Sequence, residues 1–404
     1  MPGSARRRVA VTGLGAICAL GGDAPTVWSG LQAGRSGIGP ISAIPINRLS
    51  AGIAAEIAGF ESAAHFDSRR LPLLDRTAQL ALVAAREAVQ SAGLAPDAAQ
   101  AHRRGVVLAA AIGQSSLDAA YLAFYGEGAS RVHPLTVPRV MPNAPASHLS
   151  MEFGLRGPSY AVASACASAN HAIGLAADTI RAGRADVMLT GGADASLVVG
   201  VFKCWEALRV LSADTCRPFS RDRSGLVLGE GAAVLVLEDW EHARRRGAPV
   251  LAEFAGSGMT ADGLDITAPD LAGAASAMQA ALDDAGLDAC EIGYVNAHGT
   301  GTRLNDRVES AALRQVFGRP PPVSSSKSMI GHCLSAGGAL EAVATIMALQ
   351  DGVLPPTAGF RESDPECDVD CVPNVSRAVP IQAALSNSFA FGGLNAVLAF
   401  RRAA

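Results

Sequence analysis

In the stretch YAVASACASANHAIGLAADTI, Cys166 stands among alanines and serines at the point where a strand pattern turns into a helical one. A helix starting at about Ala167 puts the thiol at a helix N-terminus, where exposed N–H groups and the positive dipole end favour thiolate and lower the pKa of a nucleophile. Ala165, Ala167 and Ser168 leave room there for an incoming acyl group. Free cysteine is also among the most buried residue types. On this stretch alone, a packed core thiol is the slightly favoured reading.

Three further side chains shift that balance. In NAHGTGTRLND, His298 follows an apolar strand and precedes Gly299 and Gly301, so its imidazole projects from a strand end over a flexible turn. In SSSKSMIGHCLSAGGALEAV, Lys327 and His332 straddle the turn before a long helix. Each has a plain structural alternative: a satisfied histidine, a surface lysine, a helix-capping histidine. At equivalent strand ends they are harder to dismiss, because α/β sheets assemble their sites at the carboxyl ends of strands.

The elements that must position these residues are legible as a pattern. Apolar runs bounded by glycine recur in RVAVTGLG, GVVLAAAIG, SYAVASAC, DVMLTGGAD and AAVLVLED, with Val9 to Thr12 as the first buried strand. Alanine-rich segments of helical period lie between them, as at Arg76 to Ala92 and Asn170 to Arg181. Alternating strands and helices predict an α/β layer with a mixed sheet covered on both faces. The theme returns in VLAEFAGSG, EIGYVNAHGTGT and PPVSSSKSMIGHCLSAGGALEAVATIMAL, and FGGLNAVLAFRR echoes LGEGAAVLVLED. We therefore expect a duplicated α/β fold, residues 1–250 carrying the thiol and residues 251–404 the two histidines and the lysine, fused without a flexible linker.

Composition removes several function classes. Hydrophobic residues make up 49% and charged residues 17%, which suits an extensively buried enzyme or obligate oligomer better than a disordered chain. With 33 Lys+Arg against 37 Asp+Glu, bulk charge gives no argument for a nucleic-acid partner. The basic-then-apolar start MPGSARRRVAVTGLGAICAL is broken by Gly and Thr and does not make a signal peptide. No window approaches the roughly 20 uninterrupted apolar residues of a membrane span, and the expectation is a cytoplasmic protein. The eight cysteines fit no zinc or redox spacing, and Cys367 and Cys371 read as unrelated loop or edge positions. No metal site and no bound cofactor is expected.

Taken as an ordered set, ACASANHAIGLAADTIRAG, NAHGTGTRLND, KSMIGHCLSAGGALEA and SNSFAFGGLNAV resemble the elongating β-ketoacyl-acyl carrier protein synthases of the thiolase superfamily. The resemblance runs from VAVTGLGAI through RPFSRDRSGLVLGEGAAVLVLE to the last strand. It implies a five-layered αβαβα fold and a dimer, either of two copies or with a chain-length-factor-like homologue. It implies substrates carried on the phosphopantetheine of acyl carrier protein, as acyl and malonyl thioesters. Cys166 would carry the acyl chain, with an oxyanion held by the backbone N–H groups of Cys166 and Phe391. His298 and His332 would stabilise the enolate left when malonyl thioester loses carbon dioxide. Lys327 would orient the site, with Asp306 and Glu309 as its carboxylate partners, more structural than proton-transferring. Phe391, beside Phe389 in SFAFGG, matches the family's gatekeeper.

Four positions depart from the family pattern. The gating loop of relatives usually reads Gly-Phe-Gly-Gly-Thr-Asn, whereas Ala390 and Leu394 make this one more apolar and, by expectation, stiffer. Arg303 stands where many relatives have proline, and is free to contact a phosphopantetheine phosphate, a partner subunit or solvent. Asp265 in DGLDITAP replaces a histidine that relatives use in decarboxylation. These departures point toward a specialised polyketide or polyene pathway, with primary fatty-acid elongation as the alternative. A thiolase would need a further cysteine in AFGGLNAV, an initiating synthase an asparagine at His332, and a silent chain-length subunit would lack Cys166. A cysteine hydrolase has no use for two histidines and a lysine together.

Overall fold

The computed structural model describes residues 6–403, so the first five residues of the basic start lie outside the described residues. The elements that frame the site, in chain order, are β1 (Val9–Cys18), α1 (Arg76–Ser91), β2 (Arg104–Ala110), α2 (Gln114–Tyr121), β3 (Ser159–Val162), α3 (Ser168–Arg181), β4 (Val187–Asp194), α4 (Val199–Ala207) and β5 (Gly231–Asp239). They continue as β6 (Ala252–Ala261), α5 (Leu271–Ala285), β7 (Ile292–Asn296), α6 (Arg303–Phe317), β8 (Val323–Ser324), α7 (Gly337–Asp351), β9 (Ala383–Ala390) and β10 (Leu394–Arg402).

The ten strands pair in the order β8-β7-β9-β10-β6-β1-β5-β4-β2-β3. Outward from the centre, β1-β5-β4-β2-β3 and β6-β10-β9-β7-β8 follow one rule: two antiparallel pairings, then two parallel ones. The two five-stranded sets join only through the short β1–β6 ladder at Val9 to Val11. Helices α3 and α7 touch each other and strands of both sets, while α1 covers one outer face and α5 with α6 the other. The result is five alternating layers of helix and sheet.

Sequence explains the assignment of helices to layers. Helix α7, GGALEAVATIMALQD, is apolar nearly all round and buried almost throughout, as a helix between two sheets must be. Outer helices α1 and α5 bury one alanine-rich face and are capped by Asp75 and Asp270, which accept the N–H groups of Thr77 (3.0 Å) and Gly273 (3.0 Å). Glycine lets each outer helix lie directly on its strand. A Cβ on Gly15 in β1 would stand 2.0 Å from the carbonyl oxygen of Ala84, and one on Gly258 in β6 would stand 2.0 Å from that of Ala277.

Two expectations need correction, and one strand went unread. The first strand runs on to Cys18, because its glycines are what admit helix α1 and do not end the strand. Strand β9, which holds Ser386 to Ala390 of the SNSFAF motif, was not anticipated and is buried along its whole length despite Ser386, Asn387 and Ser388. Cys367 and Cys371 are core residues, packed with α5 and α6. Among the described residues, no helix is long and apolar enough to cross a membrane.

Candidate active site

Strand β3 ends at Val162, and the chain turns sharply before α3. Ala165 takes a left-handed backbone (φ 49°), a conformation that costs energy for a residue with a side chain. The turn is held by Ser168, whose Oγ donates to the carbonyl of Ala165 (2.6 Å) and accepts the N–H of Ser164 (2.7 Å). This raises Cys166 into a cavity of about 340 Å3 just ahead of the α3 N-terminus, 8% exposed. His298, His332, Phe389 and Phe391 line the same cavity.

The four residues singled out for chemistry converge. His332 Nε2 lies 3.0 Å from Cys166 Sγ, and His332 Nδ1 accepts the N–H of Leu334 (3.2 Å), which assigns the ring hydrogen to Nε2. The Lys327 ammonium lies 3.3 Å from His298 Nδ1, so there too the hydrogen belongs on Nε2. The two rings stand edge to face, with centroids 5.5 Å apart. Burial first, and the nearby Lys327 charge second, hold both imidazoles well below the ordinary histidine pKa. They are therefore neutral N–H donors at physiological pH.

The thiol differs from expectation. The helix end favours thiolate, but burial outweighs it and pushes Cys166 up to about 12, with Lys327 pulling it partly back. At neutral pH the sulfur is therefore held as a thiol.

Lys327 is not paired as expected either. It is 1% exposed, and its ammonium bonds the Glu341 carboxylate, delivered from the second turn of α7. Burial raises Glu341 to about 7 against the opposing pull of Lys327. Asp306 and Glu309 instead hold backbone. Glu309 accepts the N–H groups of His298 and Gly299, both at 2.8 Å, and Asp306 those of Phe219 (2.8 Å) and Gly301 (3.2 Å). They face one side of α6 as their spacing predicts, and that side carries the His298 turn. Sequence reasoning missed Glu341, though a lone acid in the apolar run GGALEAVATIMAL was its signal. It also missed Asp194 at the end of β4, which accepts the hydroxyl of Ser335 at 2.8 Å and ties the His332 loop to the other half.

The departures fall into two groups. Ala390 and Leu394 pack with Cys166, Ala167 and Ala396, so they form a wall against the nucleophile. They pair with each other at the base of a turn whose glycines, Gly392 (φ 86°) and Gly393 (φ 67°), need the left-handed region. Asp265 stays in solvent and folds its own loop, accepting the N–H groups of Thr267 (2.7 Å) and Ala268 (2.8 Å). Arg303 opens α6 on the surface beside Arg221 and Arg307.

Residues 6–243 match the family described as Beta-ketoacyl synthase, N-terminal domain, and residues 251–361 match Beta-ketoacyl synthase, C-terminal domain. The chain belongs to the β-ketoacyl synthase family. It is 51% identical over 400 residues to nodulation protein E of Rhizobium sp. (strain N33), covering 98% of this chain and 99% of that one. It is 39% identical over 410 residues to 3-oxoacyl-acyl-carrier-protein synthase 2 of Staphylococcus aureus (strain COL), covering 99% of each. Among solved structures, the ishigamide ketosynthase/chain length factor superposes with a TM-score of 0.93 at 37% identity, over 99% of this chain and all of that one. A type II PKS acyl-carrier protein in complex with its ketosynthase superposes with a TM-score of 0.90 at 31% identity, over 99% and 100%. As a β-ketoacyl synthase, the chain is an acyltransferase of thiolase-like fold that catalyses decarboxylative Claisen condensation of a bound acyl chain with a malonyl thioester.

Proposed function

We propose that Cys166 is the acyl-carrying nucleophile and that His298 and His332 together stabilise the enolate. The 3.0 Å approach of His332 Nε2 to Cys166 Sγ, with the neutral His298 ring beside it, carries this reading. In the first half-reaction Sγ attacks the acyl thioester of a carrier protein, the carrier's C–S bond breaks, and the thiol proton passes to the departing sulfur. In the second, malonyl thioester loses carbon dioxide and its bond pair becomes an enolate, whose oxygen the two Nε2–H groups hold. The enolate carbon attacks the acyl-Cys166 carbonyl, whose oxyanion is bound by the N–H groups of Cys166 and Phe391. The Cys166–acyl bond breaks, and the departing sulfur takes a proton from water, replacing the one that left with the first carrier. Lys327, neutralised by Glu341, fixes the His298 tautomer. Residues 1–250 supply the nucleophile and 251–404 the histidines and lysine, as two fused halves.

The donor is an acyl chain on acyl carrier protein, and the pathway is a specialised polyketide or polyene one. The 51% identity to nodulation protein E against 39% to the elongation synthase supports this, as does the apolar wall of Ala390 and Leu394 on Cys166. The enzyme works in the cytoplasm as a dimer, with a copy of itself or a chain-length-factor-like homologue. Strand β3 leaves a sheet edge unpaired, and Tyr121, Leu122, Phe124, Tyr125 and Val137 are exposed apolar side chains of the same half; both are surface that such a partner would cover. The test offers saturated and polyunsaturated acyl carrier proteins with malonyl carrier protein to the purified enzyme and weighs the products. The reading expects 3-ketoacyl chains two carbons longer, formed faster from the polyunsaturated primers. Faster turnover of saturated primers would move the enzyme to primary elongation.

A further inference from the structure

Trp205 lies on α4, one turn beyond the buried Phe202, and no motif points to it. Its indole stacks on the Phe391 ring, with centroids 5.8 Å apart and planes 21° from parallel. That geometry belongs to attractive aromatic pairs. The two rings are mounted differently. Trp205 packs against the buried cluster of Phe202, Leu226 and Leu228, and it also lines a groove with Leu117, Val198 and Val201. Phe391 sits on the three-residue turn between β9 and β10, followed by two glycines. The turn backbone is tethered, since Gly392 donates its N–H to the carbonyl of Ile266 (2.7 Å). The stack therefore joins a ring packed on a buried cluster of one half of the molecule to a ring carried on a glycine-rich turn of the other, beside the cavity that holds Cys166.

We propose that Trp205 is a positioning residue that holds the Phe391 ring at the Cys166 cavity and so sets the threshold for admitting malonyl thioester. The inference rests on the reading of Phe391 as the gate. A stack of this kind shifts an open–closed equilibrium by about two- to ten-fold. Loosening it admits malonyl thioester before Cys166 is acylated. The extender then loses carbon dioxide, and with no acyl carbonyl to attack, the enolate carbon takes a proton from water and leaves as acetyl thioester. Premature opening is therefore read as acetyl carrier protein formed per 3-ketoacyl carrier protein, a ratio that a general loss of active enzyme does not move.

The experiment measures that ratio for the intact enzyme and for Trp205→Leu, Trp205→Phe, Phe391→Leu, Phe391→Ala and the double variant Trp205→Leu/Phe391→Ala. The expected result is a rise of about two- to ten-fold for Trp205→Leu and for Phe391→Leu, which keeps bulk but loses the stack. Trp205→Phe, which keeps an aromatic face, should stay near the parent. The double variant should match Phe391→Ala alone, because Trp205 acts only through that ring. Uncoupling in Phe391→Ala with parental ratios in Trp205→Leu and Phe391→Leu overturns the role of Trp205 and leaves the gate standing. A parental ratio in Phe391→Ala removes the gate itself. Should Trp205→Leu not fold, Phe391→Leu decides the matter from the other side of the stack.

Discussion

Replacing Glu341 by glutamine isolates the charge on which the two histidines depend. Lys327 and Glu341 are both essentially inaccessible, and the ammonium also faces His298. Removing one partner of a buried ion pair costs about 3–5 kcal/mol, because the other charge is left uncompensated. Glutamine still offers Lys327 an acceptor, and a hydrogen bond to a charged group recovers about 1.5–3 kcal/mol. We therefore expect Glu341→Gln to lose about 1–3 kcal/mol of stability at pH 8, read as a lower urea midpoint at unchanged slope. The same change should lower condensation at least about ten-fold while acyl transfer to Cys166 falls less, since Lys327 touches His298 and not the sulfur.

The pH dependence follows with a definite sign. Glu341 is raised to about 7, so between its unfolded value near 4.5 and 7 the folded state holds a proton that the unfolded chain has released. Its contribution to stability therefore falls as pH rises through that window. Asp306, raised by burial to about 6, acts in the same direction over a narrower range. The two histidines act oppositely. Their folded pKa values lie well below 6.5, so they cost stability as pH falls through 6.5 and the unfolded chain protonates. In catalysis, protonating Glu341 mimics the glutamine variant. Condensation by the parent should decline below about pH 7, and Glu341→Gln should flatten that limb. A Glu341→Gln enzyme with parental stability, parental condensation and an unchanged acid limb would refute the reasoning.

Two further outcomes follow from the contacts. Either histidine changed to alanine should lose condensation by about 10²- to 10³-fold, the usual effect of deleting one oxyanion donor. Acylation should suffer more in His332→Ala than in His298→Ala, because His332 is the ring bonded to Sγ; half-reaction kinetics separate the two. Glu309→Ala strands the buried N–H groups of His298 and Gly299 and should cost about 2–6 kcal/mol by chemical denaturation, at about 1–3 per unsatisfied group.

The periodicity of the chain carried the layered fold, because buried strands and alanine-rich helices leave a pattern that neighbours need not complete. Helix α3 begins at Ser168, with Ala167 at its N-cap, within one residue of the start that the strand-to-helix change of pattern gave. Strand β9 was hidden because its polar residues are satisfied by partners remote in sequence, as Asn387 is by Glu309 at 3.1 Å. The same limit applies at the site. Cys166, His298, Lys327 and His332 announce themselves by type and by the turns that hold them. Glu341 and Trp205 matter only through what they touch, and the roles of Asp306 and Glu309 depend on backbone groups whose direction a sequence does not show. The sign of the Cys166 shift was missed for a related reason, since the depth of burial is a property of the folded core.

The central claim is that Cys166 carries the acyl chain. Intact-protein mass spectrometry of the enzyme incubated with acyl carrier protein, before malonyl carrier protein is added, tests it directly. The account predicts one added acyl mass, mapped to the peptide containing Cys166, discharged when malonyl carrier protein arrives and absent from Cys166→Ala. An acyl adduct that persists in Cys166→Ala, or that maps to another of the eight cysteines, would contradict it.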